Sequence, residues 1–148
     1  MHELVTTNFG AIRYSETDIY LFPAGLPAFE AETRFLLLER PETAPVLFLQ
    51  STQSPELAFI TIPAIQIQPD YAVEPTSGDL EALGASGMDR YSLAALAILT
   101  IAEGAVTANL QAPVLICPDT HRAIQVLRPE SPYASRHPLP LREGRSCS

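Results

Sequence analysis

A chain of 148 residues that is 47% hydrophobic and carries a formal charge of −8 has the size of one ordinary domain, with enough apolar content for a core without covalent staples. Its two cysteines, Cys117 in an apolar segment and Cys147 near the C-terminus, give neither a disulfide framework nor a paired metal-ligand spacing. The charge is uneven: residues 1–118 carry four Arg against fourteen acids and residues 119–148 five Arg against three, so the acidic body disfavours direct nucleic-acid binding and suits steering toward a basic protein.

The first residues hold no basic stretch leading into an apolar run, so no secretory signal is expected. Residues 4–8 and 11–14 flank Phe9-Gly10 and predict an opening hairpin, with a third strand at 19–22. Pro23 and Pro27 then bracket Gly25 and Leu26 in a constrained loop over residues 22–30. That loop reads either as a preformed binding element or, more simply, as a seal over one end of the fold. Segments 35–39, 46–50 and 57–62 are short apolar runs bounded by Pro, Ser or Thr and read as core strands. Residues 65–68 alternate Ile and Gln and read as a further short strand.

One helix is expected. Thr76 or Ser77 caps it, Asp79 and Glu81 sit in its first turn, Leu80 and Leu83 share a face, and Gly84 stops it. Residues 92–102 are rich in Ala and Leu, and their pattern alone fits helix or strand; at about ten apolar residues the run is too short to span a bilayer. In residues 106–112, Val106, Ala108, Leu110 and Ala112 share one face while Asn109 and Gln111 share the other, the signature of a half-buried strand. Pro113 marks an edge, a bulge or a strand end. Segments 114–117 and 122–128 complete the strand set. Fourteen prolines, roughly twice the usual share, break long helices throughout. Ten or so short strands and one helix point to an all-β, predominantly antiparallel barrel or sandwich. Residues 1–141 read as a single domain and 142–148 as a disordered or extraneous tail.

Candidate chemistry is sparse. His2, His121 and His137 lack metal-ligand spacing, and no Gly-rich phosphate loop is present, so neither a metal nor a cofactor is expected. Asp119-Thr-His121 is the only segment offering a base with its orienter, and an exposed turn explains it more simply. The pairs Glu30/Glu32 and Glu39/Glu42 read as solvated carboxylates. Phe9, Phe22, Phe29, Phe35, Phe48 and Phe59 are expected in the core. Tyr71 and Tyr133, in Pro-rich connections, read as turn packing or as surface anchors. Recognition without catalysis is the better fit, and an outward amide strip at Asn109 and Gln111 suits docking of another chain as well as bonding to a neighbouring loop.

Six segments carry a more specific signal: Phe22-Pro-Ala-Gly-Leu-Pro-Ala-Phe29-Glu30, Leu49-Gln-Ser51, Leu57-Ala-Phe59, Pro69-Asp-Tyr71, Asn109-Leu-Gln-Ala-Pro113 and Arg136-His-Pro-Leu139. Their order and spacing resemble the flagellar assembly factor FliW family over about residues 4–139. The resemblance favours a strand for 92–102 and implies a small, partly open, mainly antiparallel β-barrel. It further implies a non-enzymatic bacterial protein of the cytoplasm that binds flagellin and binds and antagonises the RNA-binding translational regulator CsrA, by partner exchange. Glu30, Asp70, Asn109 and Gln111, polar positions inside the matching segments, are the interface candidates. The family's usual Gly-Leu-Pro-Gly-Phe-Glu has Ala28 in place of its second Gly, which a turn needing positive φ would resist. The chain also lacks lysine, which members usually contain. The rival readings are a small β-barrel enzyme or ligand-binding domain built on Asp119 and His121, and a flagellin chaperone with no CsrA role.

Overall fold

Short apolar runs punctuated by prolines form ten strands in the computed structural model, which describes residues 1–139. The expected boundary at 141, the tail at 142–148 and Cys147 lie outside the described residues. The strands are β1 (His2–Thr6), β2 (Gly10–Tyr14), β3 (Ile19–Leu21), β4 (Arg34–Glu39), β5 (Leu47–Ser51), β6 (Ala58–Pro63), β7 (Ala94–Ala102), β8 (Ala105–Cys117), β9 (Arg122–Gln125) and β10 (His137–Leu139). Two short helices, α1 (Ala64–Ile67) and α2 (Ser77–Ala82), lie between β6 and β7. The all-β barrel is therefore present, and residues 92–102 contain a strand.

Strands β3 to β8 pair antiparallel with their neighbours in sequence, and β9 pairs antiparallel with β8. A parallel contact between β9 and β3 closes the seven-strand ring. That seam is a single residue pair, Leu21 with Arg122, reinforced by the Leu21 N–H donating to the His121 carbonyl at 2.9 Å. The opening expected of a partly open barrel is thus narrowed to a thin seam. β10 lies outside the ring, on the edge of β8.

Alternation along each strand sorts side chains inward and outward. Phe35, Leu49, Leu96, Val114 and Ile116 fill the interior together with Phe22 and Leu26. Burying each such side chain contributes about 1.5–3 kcal/mol. The outward apolar residues are covered in three places. α1 and Tyr71 pack over Ala97, Ala108 and Leu110, while Leu83 and Ala85 after α2 pack over Leu115, Cys117 and Val126. The β1–β2 hairpin packs elsewhere on the barrel, where the Phe9 ring lies 4.9 Å from Phe48 and the Thr7 N–H donates to Pro55 O at 3.1 Å.

Several local expectations shift. The opening turn falls at residues 7–9, earlier than Phe9-Gly10, because Thr6 Oγ1 accepts the Phe9 N–H and donates to Gly10 O. Residues 65–68 belong mostly to α1; four residues fit one helical turn as well as one strand, and buried Ala64 anchors the helix. The predicted helix is α2, closed by a capping box between Thr76 and Asp79. Segments 106–112 and 114–117 form one strand, β8, running through Pro113. β9 ends at Gln125, three residues short of the expected limit.

Candidate protein-binding surface

The loop between β3 and β4 is rigid for reasons legible atom by atom. Leu26 and Phe29 exchange backbone hydrogen bonds around Pro27-Ala28, which makes a tight turn with Pro at its second position. Ala28 at its third position has φ of 71°, so the turn does need the left-handed conformation and alanine bears it. Glu30 Oε2 accepts the Ala28 N–H at 3.1 Å. Gly25, also at positive φ, has no room for a side chain, since a Cβ there would stand 2.5 Å from the Glu30 carbonyl oxygen.

The same loop is bolted to the turn after β5. The Glu32 carboxylate accepts hydroxyl hydrogens from Ser51 and from Ser54 at 2.6 Å, and Gln53 bridges the Thr33 N–H and the Ala31 carbonyl. Leu26, 2% exposed, seals the barrel interior, whereas residues 27–30 face solvent. Phe29, expected in the core, is 39% exposed and leans edge-on against Phe59 at 5.4 Å, because the turn carries it to the barrel's rim.

The Asn109–Pro113 segment is a bulge. Leu96 pairs with Val114 and Ile98 with Asn109, so Ala97 alone stands opposite residues 110–113. Asn109 Oδ1 accepts the N–H groups of Gln111 at 3.1 Å and Ala112 at 3.0 Å, holding the bulge from inside. The Gln111 amide donates to Pro129 O at 3.2 Å, and the Tyr71 hydroxyl donates to Leu110 O at 2.7 Å. Pro113 sits where no backbone donor is required. Asp70 is exposed in the turn that delivers Tyr71, so Asp70, Asn109 and Gln111 share one neighbourhood through the Tyr71 hydroxyl, while Glu30 belongs to the β3–β4 loop.

Tyr71 and Tyr133 are turn packing: their rings lie 4.4 Å apart, and Tyr133 Oη accepts the Ala72 N–H. Burial, reinforced by Tyr133 and partly offset by Arg128, pushes the Tyr71 hydroxyl up to about 12. Nearby, Asp79 pairs with Arg128. Burial works against its charge, but the Thr76 N–H and the Arg128 guanidinium outweigh it and hold the carboxyl below its ordinary range.

Asp119 and His121 are not partnered. Asp119 accepts the Ser92 N–H at 2.6 Å, and Thr120 donates to Leu83 O. His121, at φ of 56°, stacks flat on Tyr20 at 4.3 Å with Nδ1 3.2 Å from the Ile19 carbonyl, so Nδ1 is the protonated nitrogen. A groove of about 340 Å³ does open beside it, lined by Arg13, Tyr14 and Asp18 on one hand and by Ile12, Leu36 and Leu38 on the other. Among the described residues no hydroxyl bonds to the imidazole, whose contacts with Tyr20 and Ile19 serve the seam.

Against this geometry, the family model described as FliW protein matches residues 3–139. The chain belongs to the FliW family. A flagellar assembly factor FliW from Syntrophomonas wolfei subsp. wolfei is 36% identical over 139 residues, covering 93% of this chain and 88% of that protein. One from Syntrophotalea carbinolica is 36% identical over 141 residues, covering 95% and 99%. A crystal structure of the flagellar assembly factor FliW superposes with a TM-score of 0.83 at 34% identity, covering 94% of this chain and 98% of that one. Three of the six motifs acquire structural meanings in this FliW-family fold: Phe22–Glu30 contains the rim turn, Leu49–Ser51 supplies the Ser51 hydroxyl that anchors the following Glu32, and Asn109–Pro113 builds the bulge. Exposed Phe29 was missed in the sequence, although its place after Pro27-Ala28 at the fourth position of a tight turn was a usable signal.

Proposed function

We propose that this chain is a non-enzymatic flagellar assembly regulator of the cytoplasm, which binds flagellin and, when flagellin is withdrawn, binds and antagonises CsrA. The observation that carries the reading is the FliW-family match across residues 3–139, supported by relatives named as assembly factors. The charge supports a basic partner. Residues 41–121, spanning β5 to β8, hold nine acids and only Arg90 among cations, which favours electrostatic encounter with an RNA-binding surface. The exposed rim at 27–30 is held rigid before any partner arrives, so little ordering entropy opposes contact there. Glu30 and Asp70, both exposed, are the contact candidates. Asn109 and Gln111 act by fixing the shape of the surface around them.

The test is a calorimetric titration with CsrA of the same organism, repeated after saturation with flagellin and across a salt series. Partner exchange requires tight CsrA binding that flagellin abolishes and that weakens as salt rises. Binding of flagellin without CsrA would leave a chaperone role alone, and binding of neither would overturn the reading.

A further inference from the structure

β7 and β8 run on together past the point where β7 leaves the barrel wall. Pairing of β7 with β6 stops at Ile98, whereas pairing with β8 continues to Ala102 opposite Ala105. Residues 100–105 are all exposed, and Ile101 stands 62% exposed. On the β8 side, β10 covers Val106, Thr107 and Ala108. On the β7 side, among the described residues, no strand pairs with residues 99–102.

The tip is a two-residue turn with Glu103 at φ of 53° and Gly104 at φ of 76°, the twist-matched hairpin geometry. In such a hairpin Ala102 and Ala105 are the hydrogen-bonded pair, so Ile101 and Val106 are the non-bonded pair that follows. The Ile101 N–H and C=O therefore point away from β8, into the open side. Edges of this kind are normally blunted by a charge, a proline or a bulge. Leu99-Thr-Ile-Ala102 has none of these. A strand edge with free backbone groups is a template for another extended backbone, and the nine acids against one Arg in residues 41–121 oppose a second copy of this chain while favouring a cationic segment.

We propose that the β7 edge at residues 99–102 receives an extended, basic segment of a protein partner as an added strand. The inference rests on the partner-exchange reading only for the proteins used as probes. Ile101→Pro removes the outward donor without touching the β8 ladder, and Ile101→Lys places a charge on the edge. Both variants should keep the wild-type unfolding midpoint to within about 2 °C. Binding of CsrA or of flagellin should fall at least about tenfold in both, and the Ile101 amide of the wild type should exchange more slowly in that complex. Affinities for both proteins within about twofold of wild type, or unchanged Ile101 exchange, would overturn the inference and leave partner exchange standing. Self-association of the wild type that Ile101→Pro abolishes would make a second copy the occupant and overturn it too. If neither protein binds the wild type, partner exchange falls, and a synthetic peptide of about ten alternating Val and Arg residues decides the edge. Protection of the Ile101 amide by the peptide supports the inference, and no protection ends it.

Discussion

Replacing Ala28 by glycine should stabilise the protein, and the size of the effect can be worked from one dihedral angle. Ala28 is exposed, makes one backbone hydrogen bond to Glu30, and sits at φ of 71°. An L-residue with a Cβ loses about 1–2 kcal/mol in that conformation. Glycine relieves this but gains freedom in the unfolded chain, which returns about 0.4–1 kcal/mol. The net expectation is about 0.5–1 kcal/mol in favour of Ala28→Gly, or a rise of about 1–4 °C in the melting midpoint for a domain of this size. Urea unfolding monitored by far-UV circular dichroism checks it, with an unchanged slope required so that the difference reflects the folded turn. Gly25→Ala, in the same loop, is the opposing control. Its Cβ meets the Glu30 backbone at 2.5 Å and its φ is +68°, so overpacking and strain together should cost about 2–5 kcal/mol. Equal or lower stability of Ala28→Gly would refute the reasoning, because it would mean the turn is not held at positive φ in solution.

Asn109→Ala should cost about 2–4 kcal/mol, since two N–H groups of the bulge lose their acceptor, while Asn109→Asp, which keeps an acceptor there, should cost less; chemical denaturation separates the two. Asp79→Asn should cost about 1–3 kcal/mol at neutral pH. Because the folded carboxyl lies below its unfolded range, that stabilisation is complete above the unfolded pKa and is lost as pH falls through the folded one, so the wild type and Asp79→Asn should converge in acid. A stability difference that persists unchanged at low pH would sink the assignment. His121→Ala should cost about 1–3 kcal/mol by removing the Tyr20 stack and the Ile19 bond. Hydrogen exchange should report it first at Leu21, whose amide donates across the seam.

The sequence revealed those parts of the fold that follow from local periodicity and chain punctuation. The capping box of α2 was visible because Thr76 and Asp79 are three residues apart. β4, β5 and β6 were visible because each is a short apolar run with clear stops. The single strand through Pro113 was not, because a bulge is a property of pairing: the four residues 110–113 make sense only opposite Ala97. Ring closure was equally hidden, since Leu21 and Arg122 show no mutual pattern along the chain. At the surface, Glu30 and Asp70 were recognisable as polar positions within motifs. For the amides the sequence offered an outward docking strip or a bond to a neighbouring loop; the loop bond is made by Gln111, whereas Asn109 turns back onto its own strand, a role that exists only because the bulge does. Phe29 was misplaced because aromatic content predicts burial on average, and only the geometry of the Leu26–Phe29 turn sends that ring to the rim.

The thin seam also bears on how the chain reaches its native state. Strands β3 to β8 pair as a meander of near neighbours, which can zip progressively from local turns, but the contact that makes the ring joins position 21 to position 122. Loop-closure entropy rises with the length of chain enclosed, and contacts distant in sequence slow folding. During synthesis β3 must therefore wait, its outer edge unpaired, until His121 and Arg122 have left the ribosome. Until then the ring cannot close, and what closes it is a few hydrogen bonds and one stacked imidazole.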